Sequence, residues 1–332
     1  MPAEWEPHAA TWLAWPKDPI TWPDRVPQAR EAFAQMIEAL TPQEVVHLLV
    51  DDAAAEAEAR QLLSKKRFHA PNLQLHRIPT VDSWIRDYGP NFLKSDRGLA
   101  YNRWIFNAWG GKYETLMRDD GIPQRLSHLI NLPMFEPGIV MEGGSIDVNG
   151  RGCLLTTEQC LLNPNRNPAL SKAEIETYLR DYLGVAKVLW LGDGIEGDDT
   201  DGHVDDITRF VAPDTIVTVV EEDPADGNFK PLQENLKRLQ AMTDAEGRRF
   251  QIVTLPMPGR VESDEGPLPA SYANFYIANG VVLVPVYGHA NDARALETLG
   301  RLFPGRRVLG IDCRDLVWGM GALHCVTQQQ PA

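Results

Sequence analysis

One plan repeats along the chain: two short apolar strands joined by a tight turn, then a helix, then a third strand. The clearest copies begin near residues 144, 206 and 272, and two of them turn at Asn149-Gly150 and Asn279-Gly280. Asn-Gly between two apolar runs is the strongest short-range signal for a hairpin, because both positions tolerate the positive φ of its turn. Units this small cannot bury their apolar faces alone, so they must pack against one another.

The three clear copies predict strands and helices with defined limits. The predicted strands are 144–148, 153–156, 187–191, 206–211, 215–220, 250–255, 272–277, 281–285 and 307–311, and the helices are 171–183, 230–243 and 291–303. Earlier segments follow the plan more loosely, with strands at 45–50, 73–76, 92–93 and 99–104 and helices at 27–40, 53–67 and 114–130. We therefore expect a repeated α/β architecture.

The size of the repeat favours a closed ring. A period of roughly 61–67 residues fits about five times into the chain, which has 332 residues. One crossover helix per hairpin favours a ring of small α/β units over a solenoid, and a mixed α/β domain without symmetry is the alternative. No linker or low-complexity run separates the copies, so we expect residues 1–332 to form a single domain.

Charge and composition narrow the classes of partner. The chain has 46 acidic and 32 Lys or Arg residues, a net charge of −14, which argues against nucleic acid and anionic membranes and suits a cationic ligand. Apolar residues make up 43% of the chain, enough for a substantial core. The sequence contains no uncharged apolar run of about 18 residues, so no membrane span is predicted. The first residues lack the features of a secretory signal, so we expect a cytoplasmic protein.

Residues 192–197 match the glycine pattern of a dinucleotide-binding turn, but their context contradicts that function. Such a turn must lead into a helix whose N-terminus receives the pyrophosphate. Here it leads into the acidic run 198–206, which would repel phosphate. This run also lacks the ligand spacing of calcium and zinc sites. We interpret it as a polar pocket for a cation, with His203 as its titrating group.

Cys325 is the candidate nucleophile among four cysteines, which are too few for a disulfide scaffold and are by default buried, inert thiols. The glycine-rich stretch 318–323 places Cys325 at the head of a predicted short final strand. A thiol beside flexible backbone amides has the setting that a nucleophile needs. On a strand His324 would point to the opposite face, so we expect the catalytic base elsewhere and choose His203.

Two further acidic motifs precede predicted hairpins. Arg86 is explained by an internal Arg–Asp ion pair at a turn, which leaves Asp87 without an assigned partner. Glu142 is followed by Gly143-Gly144, where the absence of side chains allows close backbone approach. A solvated turn is the alternative for Glu142.

Together these motifs resemble the agmatine deiminase family, guanidine-modifying enzymes with a five-bladed α/β propeller (pentein) fold. The resemblance covers nearly the whole chain and rests on Trp84-x-Arg86-Asp87-x-Gly89-Pro90, Glu142-Gly143-Gly144, His203-x-Asp205-Asp206 and His324-Cys325-x-Thr327-Gln328. It also includes Trp5-Glu6-Pro7-His8, Trp12-Leu13-Ala14-Trp15-Pro16, Asn107-Ala108-Trp109-Gly110-Gly111-Lys112 and Val308-Leu309-Gly310-Ile311-Asp312-Cys313-Arg314.

The resemblance implies a role for each motif. In that family the cysteine of His-Cys-x-Thr-Gln is the nucleophile and the histidine of His-x-Asp is the general acid/base, which correspond to Cys325 and His203. The remaining implied roles are orientation of the histidine by Glu142, binding of the guanidinium by Asp87 and Asp205 beside Trp84, and recognition of the substrate amine by Asp199, with Asp198 next to it.

The chemistry of a guanidinium suits these residues. It is a planar cation shaped for bidentate carboxylate contacts, and because resonance makes its carbon a poor electrophile, alignment for attack matters. The resemblance implies a hydrolase that converts agmatine to N-carbamoylputrescine and ammonia through an amidino-cysteine intermediate, without metal or organic cofactor, in putrescine biosynthesis or agmatine catabolism. Three alternative functions remain open: a protein-arginine deiminase, an amidine transferase and a non-catalytic binding protein. The formation of a homo-oligomer also remains open.

Overall fold

The strands form five small sheets that share one plan within a mixed α/β fold. A computed structural model describes residues 1–68 and 70–332. Within these residues five sheets of three or four strands occur, together with the short hairpin Glu262–Ser263 and Gly266–Pro267. We number them as unit 1 (Gln328–Pro331, His8–Ala14, Val45–Val50, Leu73–Arg77), unit 2 (Asn91–Ser95, Gly98–Asn102, Met134–Phe135), unit 3 (Asp147–Val148, Cys153–Thr157, Lys187–Leu191), unit 4 (Thr208–Ala212, Thr215–Val220, Gln251–Pro256) and unit 5 (Tyr276–Ile277, Val281–Val286, Arg307–Asp312).

The strand directions are the same in every unit. In units 2 to 5 the first two strands are antiparallel and the third joins the second in parallel. In unit 1 the strand Gln328–Pro331 lies antiparallel to His8–Ala14, and two further strands add in parallel. The repetition predicted from the sequence is therefore present in all five units, and unit 1 combines distant parts of the chain.

Helices supply the crossovers that parallel strands require. They are Val26–Leu40 and Ala53–Lys65 in unit 1, Ile122–Ile130 in unit 2, Glu158–Leu161 and Lys172–Leu183 in unit 3, Phe229–Ala241 in unit 4 and Asn291–Leu302 in unit 5. The remaining short helical segments are Ile85–Tyr88, Ala108–Gly111 and the 3₁₀ turns Glu114–Gly121, Gly143–Ser145, Val204–Asp206 and Leu316–Gly319.

The helix Lys172–Leu183 shows how local sequence sets these limits. Ser171 accepts a hydrogen bond from the backbone N–H of Glu174, whose carboxylate accepts one from the backbone of Ser171, a capping box. Gly184 ends the helix with a φ of 68°. The apolar side chains at Ile175, Leu179 and Leu183 are buried, each worth about 1.5–3 kcal/mol.

Several predicted limits are wrong, mainly at the first strands of the units. The strands predicted at 144–148, 206–211 and 272–277 begin only at Asp147, Thr208 and Tyr276, because the residues before them form turns with buried polar side chains. The helix predicted at 114–130 is a 3₁₀ segment followed by an α-helix that begins at Ile122, with Pro123 in its first turn.

One large apolar core joins all five units, and a smaller cluster lies around unit 3. All four cysteines are buried and unpaired, as expected for three of them. Among the described residues, no helix is both long enough and apolar enough to span a bilayer.

Candidate active site

Each unit places a polar side chain in the turn that precedes its first strand. These residues, from unit 2 round to unit 1, are Asp87, Glu142, His203 with Asp205, Asn274, and Cys325. All are at least nine-tenths buried. Because the units share one plan, their turns occupy corresponding positions, and the contacts described below join these side chains into one cluster.

Gly144 marks the point where three of these side chains meet. A methyl group built on Gly144 would lie 2.6 Å from His203 Nδ1, 2.9 Å from Asp87 Oδ1 and 3.0 Å from Asp205 Oδ2. The neighbouring Gly143 packs directly against the backbone carbonyl of Arg86. The close backbone approach predicted for this Gly-Gly pair is confirmed, and it brings two carboxylates and an imidazole to one point.

Cys325 lies beside this point. Its Sγ is 3.7 Å from Asp205 Oδ2 and accepts a hydrogen bond of 3.0 Å from Asn274 Nδ2. The thiol belongs to the turn before the final strand, which begins at Gln328, so the prediction that Cys325 heads that strand is wrong. The strand argument about His324 is therefore also wrong, since His324 lies in the same turn and its ring contacts Asp205.

The two candidate guanidinium-binding carboxylates differ in what they contact. Asp87 accepts hydrogen bonds of 2.9 Å from Trp109 Nε1 and from the backbone of Gly144, so the partners that the sequence left unassigned are now known. Asp205 Oδ2 contacts His324, whereas its Oδ1 is buried and has no partner in residues 1–68 and 70–332. One oxygen of Asp205 is therefore available to a ligand.

Arg86 does not make the predicted ion pair with an aspartate. Its Nη2 lies 3.4 Å from Glu4, and its Nη1 donates to Gln329 at 2.7 Å. The side chain points away from Asp87, towards the first residues of the chain and the final strand, so these segments rather than the site neutralise its charge.

His203 is fully buried, and neither ring nitrogen has a hydrogen-bond partner among the described residues. Ligand atoms of Glu142, Cys160 and His203 all lie within 4.8 Å of one another. Glu142 makes its hydrogen bond to Arg166 Nε instead, at 2.6 Å. Glu142 is thus next to the imidazole without bonding to it, and its orienting role stays a prediction.

Sequence reasoning missed Asn274 and Arg166. Asn274 lies inside the predicted strand 272–277, yet it bonds to Cys325 Sγ and, at 2.8 Å, to Asp206. The repeat itself carries a signal for it, because four units had a candidate before their first strand and unit 5 had none. Arg166 is held by Glu142, by Asp201 at 2.8 Å and by a backbone carbonyl, and nothing in its local sequence indicates this.

Burial controls the protonation of the candidate nucleophile and base. Burial, and then the carboxylates of Asp205, Asp206 and Asp87, raise the pKa of the Cys325 thiol well above its usual value. Burial lowers the pKa of His203 to about 3. Without a ligand the pair is therefore a thiol and a neutral imidazole, and a cation entering between the carboxylates would favour the thiolate.

The pKa values of Asp87 and Asp205 shift in opposite directions. Burial, followed by the charges of Asp205 and Glu142, raises the pKa of Asp87 well above its usual value. Burial acts in the same direction on Asp205, but the hydrogen bond and charge of His324 outweigh it and lower the pKa of Asp205. A second ionised carboxylate near a first is costly without a cation, so the cluster favours a positively charged ligand.

Asp199 lies in the acidic run beside the cluster, within reach of the turn Ala108–Gly111. Its Oδ2 accepts a hydrogen bond of 2.5 Å from Tyr113. All four residues of the turn have positive φ, from 53° at Ala108 to 93° at Gly110. This left-handed path carries Trp109 inwards to Asp87 and leaves Tyr113 at the surface beside Asp199.

Trp84 is buried beside the nucleophile. Its indole N–H donates to Asp82 at 3.0 Å. A methyl group on Gly321 would lie 2.8 Å from the Trp84 ring and 3.2 Å from Cys325 Sγ, so the ring and the sulfur flank the same glycine. The ring is therefore placed to form a wall of the site, and its contact with substrate stays a prediction.

Two groups of buried side chains have the spacing of metal ligands: Glu142, Cys160 and His203, and Asp205, Asp206 and Cys325. The expected absence of a metal stays a prediction. The glycine pattern at 192–197 is followed by turns and bends rather than by a helix, as the acidic run predicts, so no helix N-terminus is available to a pyrophosphate.

The fold and the site define a class of mixed α/β proteins whose repeated units contribute a buried cysteine, histidine and paired acids to one cluster. The profile of the Porphyromonas-type peptidyl-arginine deiminase family matches residues 1–331, and the chain belongs to that family. The resemblance stated from the motifs is thereby confirmed, because curated relatives of this chain carry the provisional name agmatine deiminase.

Three relatives illustrate the similarity. A Legionella pneumophila protein provisionally named agmatine deiminase is 40% identical, and the alignment covers 100% of this chain and 94% of that protein. The solved agmatine deiminase of Enterococcus faecalis is 36% identical with a TM-score of 0.91, over 100% of this chain and 95% of that one. A Porphyromonas gingivalis structure provisionally described as an arginine deiminase is 36% identical with a TM-score of 0.90, over 99% and 97%.

Proposed function

We propose that this chain hydrolyses the guanidine group of agmatine, releasing ammonia and N-carbamoylputrescine. The observation that carries the proposal is the meeting of His203, Asp87 and Asp205 at Gly144, with the Cys325 sulfur alongside. The curated relatives named agmatine deiminase support the choice of substrate. The reaction needs a nucleophile, a proton carrier and anionic groups that hold a planar cation, and these four side chains supply them.

Binding of the guanidinium comes first. The free Oδ1 of Asp205 and the carboxylate of Asp87 accept hydrogen bonds from its N–H groups, which fixes the plane of the cation next to Cys325. The positive charge offsets the carboxylates that hold the thiol protonated. Substrate binding therefore prepares the nucleophile, since a protonated thiol is unreactive.

The chemical steps then use one sulfur and one imidazole. His203 takes the thiol proton, and the Cys325 thiolate adds to the guanidinium carbon to give a neutral tetrahedral adduct. His203 returns the proton to a terminal nitrogen, the C–N bond breaks and ammonia leaves, which gives a cationic amidino-thioether. His203 next removes a proton from water, whose oxygen adds to the same carbon. The C–S bond breaks, the thiol is restored, and the last proton leaves with ammonia as ammonium.

Asp199 is our candidate for the amine end of agmatine. It is half-buried at the rim of the site and has a hydrogen bond from Tyr113. Burial raises the pKa of this carboxyl, opposed by the Tyr113 hydrogen bond and the charge of Lys112. A primary ammonium reaching this oxygen would restore the charged form, so the rim favours a substrate with a cation at each end.

Deimination of peptidyl-arginine is the second candidate, because the family profile carries that description. Agmatine, free arginine and a peptidyl-arginine should be assayed side by side for ammonia release. We expect agmatine to be preferred, and an Asp199→Asn substitution to raise KM for agmatine about tenfold while leaving KM for the peptide unchanged, because one charge-assisted contact is worth about 1.5–3 kcal/mol. Preference for the peptide would refute the proposed substrate.

The role of Cys325 is tested separately from the substrate. Cys325→Ser should abolish turnover, whereas Cys313→Ser, a matched control at another buried and unpaired cysteine, should keep it. Acid quenching of the wild type during turnover of agmatine should trap an amidino adduct on Cys325, and His203→Ala should form little of it, because His203 also moves the protons of the first step. Substantial turnover by Cys325→Ser would remove this thiol from the mechanism.

We further propose that the five units close into a five-bladed α/β propeller that forms one domain. Contacts between neighbouring units support this arrangement. Strand Gln328–Pro331 of unit 1 contacts unit 2, the turns of units 2 and 3 contact each other, Thr208–Ala212 of unit 4 contacts unit 3, Asn291–Leu302 of unit 5 contacts unit 4, and Val26–Leu40 of unit 1 contacts unit 5. The cytoplasmic location stays a prediction of the sequence.

A further inference from the structure

A buried histidine links the candidate site to a second charged cluster. The ring of His324 lies between two carboxylates, with Nδ1 2.6 Å from Asp205 Oδ2 and Nε2 2.8 Å from Glu4 Oε2. The side chains of His324 and Asp205 are 2% and 0% exposed, so water does not substitute for either contact. None of the chemical steps proposed above uses His324 or Glu4.

The donor count fixes the form of this ring. An ionised carboxylate only accepts hydrogen bonds, and a neutral imidazole has only one N–H to give. With both carboxylates ionised, only an imidazolium with both nitrogens protonated can donate in the two contacts. Glu4 is suited to remain ionised, because Arg209 Nη2 lies 2.9 Å from it and the backbone of Ile277 donates to it at 2.8 Å.

The contact also sets the orientation of Asp205. His324 holds Oδ2, which lies on the side of Cys325, and leaves Oδ1 buried without a partner among the described residues. Rotation of the carboxylate would break a charge-assisted hydrogen bond, which is worth about twice a neutral one. Oδ2 is also the oxygen that faces Gly144, where Asp87 and His203 meet, so this contact fixes the rotation of the carboxylate beside the space that the guanidinium would occupy.

We propose that His324 is a positioning residue whose imidazolium keeps Asp205 ionised and turned towards the guanidinium, a role that rests on the proposed function. His324 touches no reacting atom in this mechanism. Its effect is on binding, so its loss should act on KM more than on kcat.

The effect of pH follows from the groups around Asp205. The charged and titratable side chains that face it or His324 are Glu4, Arg86, Asp87, Asp198, His203, Asp206, Arg209 and Cys325. Burial favours the protonated carboxyl, and His324 is the main group opposing it. Without the imidazolium the pKa of Asp205 rises, because burial is then less opposed, so the carboxylate is neutralised at a higher pH and cation binding is lost there.

The test is the KM for agmatine of His324→Gln between pH 5 and pH 9. We expect the acidic rise in KM to move upwards by at least about one pH unit, so that the effect approaches tenfold at the acidic end of the series and diminishes towards pH 9. His47→Asn, at a partly buried histidine on a strand of unit 1, is the matched control and should match the wild type. An equal loss at every pH, or an unchanged KM, would overturn the proposal.

A measurement on the unaltered protein covers the case in which the variant does not fold. With ¹⁵N-labelled histidine, one ring should remain protonated at both nitrogens at pH 8 and should shift when agmatine is added. If every ring that responds to agmatine is neutral at pH 8, His324 is not an imidazolium and the proposal fails. If the wild type instead turns over only peptidyl-arginine, the proposed substrate fails, and the same pH series with that peptide still tests His324.

Discussion

A single methyl group added at Gly144 tests whether the candidate site is assembled as described. In Gly144→Ala the new carbon would lie 2.6–3.0 Å from His203, Asp87 and Asp205, whereas carbon contacts are normally about 3.5–4.0 Å. The three groups must therefore move by about 0.5–1 Å, and they are buried too deeply to do so freely. Overpacking of this kind costs about 1–3 kcal/mol of stability.

The expected effect on activity is much larger than the effect on stability. A displacement of about 1 Å at the reacting groups lowers rates by about 100-fold, so kcat/KM for agmatine should fall by that factor or more. Urea unfolding should show a folded protein. Gly300→Ala is the control, because its methyl group meets nothing within 4 Å and lies in the helix Asn291–Leu302. Activity above half of wild type in Gly144→Ala would refute the geometry of the site.

Three further predictions concern the neighbours of this site. Asn274→Ala should lower kcat by about 10- to 100-fold, since it removes a hydrogen bond of about 1.5–3 kcal/mol to the thiolate; unchanged kcat would contradict this. Burial lowers the pKa of His203 to about 3, so only the unfolded chain binds this proton below about pH 6.5, and the stability decreases as the pH decreases. Between pH 7 and pH 5, wild type should lose about 2 kcal/mol more of its free energy of unfolding in urea than His203→Asn, and equal losses would contradict this. Arg166→Gln leaves Glu142 and Asp201 without their buried partner and should cost about 3–5 kcal/mol, whereas the exposed Arg151→Gln should cost little; similar losses would contradict it.

Periodic and capped elements are the part of the fold that the sequence predicts well. The strands 187–191 and 215–220 have the predicted limits, and the helix predicted at 171–183 begins one residue later, because Ser171 is its cap rather than its first residue. In these segments local signals and tertiary packing agree. The first strands of the units were overpredicted, because β-forming residues such as those at 272–275 are used instead for turns that carry site residues.

The sequence predicted site residues of types that have few purely structural roles. It did not predict contacts between residues that are far apart along the chain. Cys325 and His203 were identified from local motifs, and Asp87 and Asp205 from the family resemblance; the structure brings all four together. Arg86 was paired with the wrong acid, because its partner Glu4 is 82 residues away in sequence. His324 was set aside by a strand argument that fails when the residue lies in a turn.

The placement of one site residue in each unit has a consequence for how such an enzyme is lost on heating. Catalytic competence needs all five turns in register, whereas most of the core needs only neighbouring units to stay packed. Local opening of any single unit, even one far from the sulfur in sequence, silences the chemistry while the bulk of the secondary structure persists. The temperature of thermal inactivation would then reflect the least stable of the five contacts between neighbouring units rather than the average stability of the molecule.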